Sequence, residues 1–297
     1  MDATTDLRGR TILVTGANAG IGYWCAEQLA ARGARVLLGC RSPERAEVAA
    51  FAIRGREPHA DLRILPLDLG SLDSVATASA AVDEKLDAVI CNAGVKAADP
   101  EARTADDLDL MVGTNFLGHF ALVAQLAPLL TPDARVVTVG SIAHRFAHLD
   151  PTRIDAAWHG SSLRQYGRSK AALMAFTFEL SRRWSDPARS AVCAHPGYAV
   201  DPLTPSRPGH APVSGLVRAL AAPSRILVQG KDGGARPIVH AAVAPEVRNG
   251  DYWGPGGPLE FRGAPTRVAA SYDVRSPATG TSLWEAAERL TGVPFAA

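Results

Sequence analysis

The chain has 297 residues, 47% of them hydrophobic, with 31 basic and 30 acidic side chains and a formal net charge of +1. That length suits one large α/β domain with a substantial core, with two smaller domains as the alternative. The even charge argues against a nucleic-acid or membrane-surface binder.

Strand and helix signals alternate along the chain. Ile12-Leu13-Val14 is an apolar run ending in Thr15-Gly16; Gly20 and Gly22 follow, then a helical pattern over Ile21–Ala31 that Gly33 closes. Ala34–Gly39 reads as a second buried strand, leading into Cys40-Arg41. Ser42-Pro43-Glu44 then starts a helix with a capping residue and a first-turn proline. Leu62–Leu67 is a third strand before Asp68-Leu69, Ser71–Lys85 a helix, and Asp87–Cys91 a fourth strand before Asn92-Ala93-Gly94. Two helices are expected between about Thr104 and Leu130, a fifth strand over Ala134–Val139 ending at Gly140-Ser141, and a helix over Leu163–Trp184. Ser190–Ala194 is a sixth strand ending in His195-Pro196-Gly197. Residues 198–230, rich in proline, read as a mobile lid with a short apolar helix near Val213–Ala222. Gly233–Ala244 is another helix, Asp251–Gly254 a seventh, edge strand, and the tail from Pro255 is loop-rich apart from a last helix over Ser282–Leu290.

Apolar strands separated by amphipathic helices indicate a parallel sheet covered on both faces. Crossovers in such sheets are right-handed, so the carboxyl ends of the strands share one edge, where ligands bind. Gly16, Arg41, Asp68, Asn92, Ser141 and Gly197 all fall at that edge. The Thr15–Gly22 stretch adds a glycine turn whose backbone a phosphate can approach, at the positive end of a helix.

Tyr166 and Lys170 stand four residues apart on a predicted helix and so share a face. A free tyrosine ionises near pH 10, too high for a base at neutral pH, and a neighbouring cation favours the phenolate. Ser141 offers a hydroxyl to hold a substrate oxygen. Four cysteines, Cys25, Cys40, Cys91 and Cys193, lie far apart in apolar contexts with no C-x-x-C pair, as expected of buried thiols in a reducing, cytoplasmic compartment. No basic-then-apolar leader opens the chain, and no uncharged apolar run near 18 residues is expected. His144, His148 and His159 lack metal-ligand spacing.

Thr15-Gly-Ala-Asn-Ala-Gly-Ile-Gly22, Asp68-Leu69, Asn92-Ala-Gly94, Asn115, Ser141, Tyr166-x-x-x-Lys170 and Pro196-Gly197, in this order, resemble the short-chain dehydrogenase/reductase family over nearly the whole chain. Cys40-Arg41, Asn115-Phe-Leu-Gly-His-Phe120 and Tyr252-Trp-Gly-Pro resemble its retinol-dehydrogenase and protochlorophyllide-reductase branch. The resemblance implies a single Rossmann-type, doubly wound sheet of about seven strands. It implies Tyr166 as general acid/base and Lys170 as the residue that lowers its pKa and binds the nicotinamide ribose. Ser141 positions the substrate oxygen, and Asn115 holds a water that links Lys170 to solvent. The resemblance further implies that Gly16, Asn18, Gly20, Ile21 and Gly22 seat the pyrophosphate, that Asp68 and Leu69 flank the adenine, that Asn92, Ala93 and Gly94 line the cofactor groove, and that Pro196 and Gly197 also contact the cofactor.

An acid at the end of the second strand would repel a 2′-phosphate; Arg41 stands there instead, with no acid before Glu44, which predicts NADP(H). Where the family has a threonine after Pro-Gly, this chain has Asp201, then Pro202 and Thr204, so the lid's cofactor contacts are open. His144, Phe146, Trp158, Tyr198 and Leu203 are expected around a fairly apolar carbonyl or alcohol substrate. The reading is an NADP(H)-dependent ketoreductase without metal. The alternatives are non-redox acid/base chemistry (dehydration, epimerisation or cyclisation) on the same scaffold, or an NADPH-binding regulator. The family pairs through helices equivalent to Thr114–Leu130 and Leu163–Trp184, which implies a homodimer or homotetramer unless the tail intervenes.

Overall fold

The computed structural model describes residues 5–99, 101–147, 149–156, 160–184, 186 and 188–297. The first half runs β1 (Thr11–Thr15), α1 (Gly20–Ala30), β2 (Arg35–Cys40), α2 (Pro43–Arg54), β3 (Leu62–Pro66), α3 (Leu72–Ala80) and β4 (Leu86–Cys91). A long helix follows in three parts: α4 (Leu110–Val112), a π-helical turn (Gly113–Leu117) and α5 (Gly118–Leu126). Then come β5 (Leu130–Val139), α6 (Ser162–Arg183), β6 (Ser190–Ala194), α7 (Gly215–Ala221), α8 (Lys231–Val243), β7 (Tyr252–Pro255), β8 (Pro265–Arg267), α9 (Tyr272–Arg275) and α10 (Pro277–Thr291).

All the strands belong to one sheet in the order β3-β2-β1-β4-β5-β6-β7-β8. Every residue of β1 is buried, as a strand covered on both faces requires. Side chains on one face, such as Leu13, Leu37 and Val89, pack with α3, α5 and α6; those on the other, such as Val14, Val36 and Leu38, pack with α1, α2 and α8. The order reverses at β1, which has β2 on one side and β4 on the other. A crevice opens at such a switch point, outside the strands' carboxyl ends, and it lies here between Thr15-Gly16 and Asn92-Ala93-Gly94.

Three expectations change. The sheet has an eighth strand, β8, antiparallel to β7, so Tyr252–Pro255 pairs on both sides and is not the edge. Three residues beginning with proline carry too little alternation to read as a strand. The region from Thr104 holds one helix rather than two: Asp109 caps it by accepting Val112 N–H at 2.8 Å, and the chain from Thr104 to there is a loop. No charge interrupts residues 110–132, and Leu110–Leu129 has a mean hydropathy of 1.4, long and apolar enough by composition to cross a membrane. In the fold 78% of that window is buried, as befits a core helix.

The last helix is longer than expected. Ser276 caps its start by accepting Thr279 N–H, and Gly292 ends it at φ +66°. Its Trp284 meets Phe120 of α5 edge-on at 5.3 Å and Phe176 of α6 at 5.8 Å, and Phe295 stacks on it at 4.8 Å. The tail thus covers part of the α5–α6 face through which pairing was expected.

Candidate active site

The glycine turn is built by steric necessity. Gly16 and Gly20 adopt φ of +66° and +58°, which side chains resist. A Cβ on Gly22 would lie 2.3 Å from the Gly16 carbonyl and 2.4 Å from Asn92 Nδ2, so only glycine lets α1 seat against the turn. Ala19 gives α1 no side-chain cap, which leaves the first-turn N–H groups facing the crevice.

A cleft of about 670 Å³ occupies the switch point. Gly16, Asn18, Gly20 and Ile21 line its base; Arg41, Asp68 and Leu69 line one side, and Asn92, Ala93 and Gly94 the other. These expected residues converge. Gly22, Pro196 and Gly197 do not line it: Gly22 packs behind the turn, the Pro196 carbonyl accepts Gln229 Nε2 at 2.9 Å, and Gly197 sits at φ +65° against the Phe261 carbonyl. Arg45, Thr114 and Lys231 were not singled out from the sequence. Arg45 lies four residues beyond Arg41, in the first turn of α2, a spacing that was legible. Lys231 reaches the cleft only through the tertiary placement of α8.

A buried relay ties the cleft wall to the long helix. Asn92 N–H and Ala93 N–H both donate to Thr15 Oγ1, at 3.0 and 2.9 Å. Thr15 Oγ1 in turn lies 2.9 Å from His119 Nε2, and His119 Nδ1 lies 2.9 Å from the Asn115 carbonyl. A carbonyl only accepts, so Nδ1 carries the proton, Nε2 accepts, and the Thr15 hydroxyl donates to it. Burial pulls the His119 pKa down to about 3, so the ring stays neutral.

Asn115 sits in the π-helical turn, a distortion common at functional sites. Its side chain accepts Val95 N–H at 2.7 Å and donates to the Val95 carbonyl at 3.0 Å and to Ser169 Oγ at 2.9 Å. Both amide hydrogens are therefore engaged by protein groups, and a water would have to use the remaining oxygen lone pair. A Cβ on Gly94 would lie 3.2 Å from Asn115 Oδ1 and 3.3 Å from Lys170 Nζ, so the cleft wall touches both residues there. Lys170 is buried, donates to the Val139 carbonyl at 2.9 Å, and has its pKa drawn down to about 8 by desolvation.

Tyr166 lies one helical turn before Lys170, its ring centroid 6.0 Å from Nζ, and is hydrogen-bonded to the Ser141 hydroxyl. In this structure the Tyr166 pKa is set by burial and by Ser141, and Lys170 does not figure in it. Burial raises it, and the hydrogen bond from Ser141 is what opposes the rise. The ammonium is directed to the Val139 carbonyl instead.

The expected substrate residues divide. His144 is buried; its Nδ1 donates to the Ser141 carbonyl at 2.6 Å and its Nε2 accepts Ser271 N–H at 3.3 Å, so it braces the loop after β5. Leu203 is buried at the root of the lid. Phe146 and Tyr198 are exposed, Tyr198 with its ring 5.7 Å from Phe261. Trp158, with His148 and His159, lies outside the described residues. Among the described residues no group of three or more metal-ligating side chains occurs. The tail supplies contacts that sequence reasoning missed. Glu260, at φ +58°, meets Arg145 at 2.8 Å and His195 Nε2 at 3.2 Å, and burial pulls His195 down to about 4. Asp201, the departure after Pro-Gly, is ion-paired with Lys231 at 2.5 Å.

The family model described as short chain dehydrogenase matches residues 10–207. The bovine protein named dehydrogenase/reductase SDR family member 13 is 37% identical over 97% of this chain and 74% of its own length. Human retinol dehydrogenase 13 is 33% identical over 96% of this chain and 85% of its own. Among solved structures, an uncharacterised protein from Mycobacterium paratuberculosis superposes with a TM-score of 0.80 at 32% identity, covering 99% of this chain and 98% of that one. A short chain dehydrogenase from Burkholderia cenocepacia in complex with NADP superposes at 0.61 and 29% identity, covering 84% and 96%.

Proposed function

The chain belongs to the short-chain dehydrogenase family, on the branch that holds the retinol dehydrogenases, and from that premise we propose that it is an NADP(H)-dependent ketoreductase for hydrophobic carbonyl compounds. The observation that carries this reading is the junction at Gly94, where a cleft with a phosphate-binding turn meets Lys170, one helical turn from a tyrosine bonded to Ser141. The residues fit a dinucleotide. The glycine turn suits the pyrophosphate, and the bare Cα of Gly94 lets a ribose approach Lys170. Arg41 and Arg45 at one side of the cleft suit a 2′-phosphate bidentately, while the Glu44 carboxylate is held by the Ser42 hydroxyl at 2.7 Å. The relative solved with NADP supports the same choice.

When bound, the nicotinamide supplies or accepts a hydride. Ser141 orients the substrate oxygen and Tyr166 moves the proton at that oxygen. Burial keeps the phenol protonated, so it holds the proton that a reduction delivers, and the Ser141 hydrogen bond, which opposes the rise, is what favours its release. Lys170 binds the nicotinamide ribose, and Asn115 fixes the Val95 backbone and the first turns of α6 beneath it. The chain works as one catalytic unit. A reducing, cytoplasmic setting is supported by its four buried, unpaired cysteines. Pairing through α5 and α6, as in a family dimer or tetramer, would use a face that α10 partly covers.

Titration with NADPH and NADH tests the cofactor assignment. Arg41→Asp should weaken NADPH binding more than roughly tenfold and leave NADH nearly unchanged; equal effects on both would reject it. NADPH oxidation across a panel of apolar ketones tests the reaction. Binding without oxidation would favour non-redox or regulatory use.

A further inference from the structure

We infer that Lys231 is a second phosphate-binding cation, paired in this structure with Asp201, which a dinucleotide pyrophosphate displaces. The inference rests on the reading that the cleft holds a nicotinamide dinucleotide.

Lys231 is held in place by its backbone, not its charge. Its N–H donates to Thr204 Oγ1 at 2.8 Å, and that hydroxyl donates to the Val200 carbonyl at 2.8 Å. Gln28 Nε2 of α1 donates to the Asp232 carbonyl at 2.8 Å. A Cβ on Gly234 would lie 3.0 Å from Ile21 Cδ1, so the first turns of α8 and α1 are packed together. The Lys231 side chain therefore emerges beside the helix end that the glycine turn feeds.

Two cavities meet at that point. Ala19, Gly20 and Lys231 line both the 670 Å³ cleft and a second cavity of about 340 Å³ beneath the lid. The second cavity carries Arg207, Arg218 and Lys231 against a single carboxylate, Asp201. Arg207 is committed elsewhere: its guanidinium covers the Tyr23 ring at 4.2 Å and donates to the Asn18 carbonyl at 3.2 Å. Among the described residues, the Lys231 ammonium pairs with Asp201.

That hold is weak. The Asp201 side chain is 64% exposed, against 25% for Lys231. A solvated carboxylate gives a modest attraction, screened by salt. A pyrophosphate at Gly20 would bring more negative charge into a less solvated place, and an ammonium binds phosphate as a compact point charge. In place of the family's threonine, Asp201 thus supplies a competing anion that sets how freely Lys231 engages the cofactor.

A merely structural ion pair and this competition differ in sign. If the pair only anchors the lid, removing either partner harms binding alike. Under competition the two removals act oppositely. Direct titration of the full chain with NADPH and with NADH, followed by nucleotide fluorescence, distinguishes them. Lys231→Met should weaken both nucleotides roughly tenfold and flatten the salt dependence. Lys231→Arg should recover part of the loss, and Asp201→Asn should tighten both about two- to threefold. Thermal melting of each variant reports whether it folds. Unchanged binding in folded Lys231→Met, or weaker binding in Asp201→Asn, overturns the inference. Failure of the unsubstituted protein to bind either nucleotide overturns the underlying reading as well, whereas an Arg41→Asp effect confined to NADPH leaves that reading standing whatever Lys231 does.

Discussion

His119 gives the most quantitative prediction. It is wholly buried between Thr15 and the Asn115 carbonyl, with its pKa pulled from 6.5 to about 3 by desolvation, to which the Lys170 charge adds. The folded protein therefore keeps the ring neutral where the unfolded chain protonates it. Stability from this group is full above the unfolded pKa and falls as pH drops from 6.5 towards 3. At pH 5 the solution stands 1.5 units below the unfolded histidine's pKa of 6.5, which at about 1.36 kcal/mol per unit is a loss of about 2 kcal/mol. His119→Gln keeps an acceptor for the Thr15 hydroxyl but has nothing to titrate. It should cost about 1–3 kcal/mol at pH 7, through the weakened bond to Asn115. Between pH 7 and pH 5 it should then lose about 2 kcal/mol less than the parent. Urea unfolding of both proteins at the two pH values measures the difference. Parallel losses would refute the neutral, buried relay.

Three further outcomes follow from the same geometry. Lys170→Met should abolish turnover yet raise the melting temperature at neutral pH, because it removes a buried ammonium whose pKa desolvation has lowered to about 8; a drop in melting temperature would contradict this. Gly22→Ala should cost about 1–3 kcal/mol or more and weaken nucleotide binding, since the added carbon meets the Gly16 carbonyl at 2.3 Å; wild-type denaturation and affinity would show that α1 seats differently. Trp284→Ala should cost about 3–5 kcal/mol and increase self-association in sedimentation by loosening α10 from Phe120 and Phe176; an unchanged monomer fraction would mean that α10 does not mask that face.

What was legible before the structure lies where local chemistry is strict. The glycine turn, the buried strands and the helix bearing Tyr166 and Lys170 all follow from spacing, because left-handed glycines and helical periodicity leave few alternatives. The strand ends were legible for the same reason: a parallel sheet gathers them. What escaped depends on distant partners. His144 read as a pocket residue until Ser271, more than a hundred residues on, was seen to donate to it. Glu260 and Lys231 carry no local signal, and both act through elements brought back from late in the chain. The π-helical turn at Asn115 is invisible to a 3.6-residue period. The Tyr166 pKa depends on where the Lys170 ammonium points, and a shared helix face does not decide that.

Isotope transfer tests the central claim most directly. NADPH deuterated on the transferring face of its nicotinamide is incubated with an apolar ketone that the protein consumes, and the alcohol is analysed by mass spectrometry and NMR. One deuterium on the carbinol carbon is predicted, with Tyr166→Phe binding NADPH at near-parental affinity but forming no labelled alcohol. Undiminished labelling by Tyr166→Phe, or tight NADPH binding with no label passed to any ketone of the panel, would contradict the account.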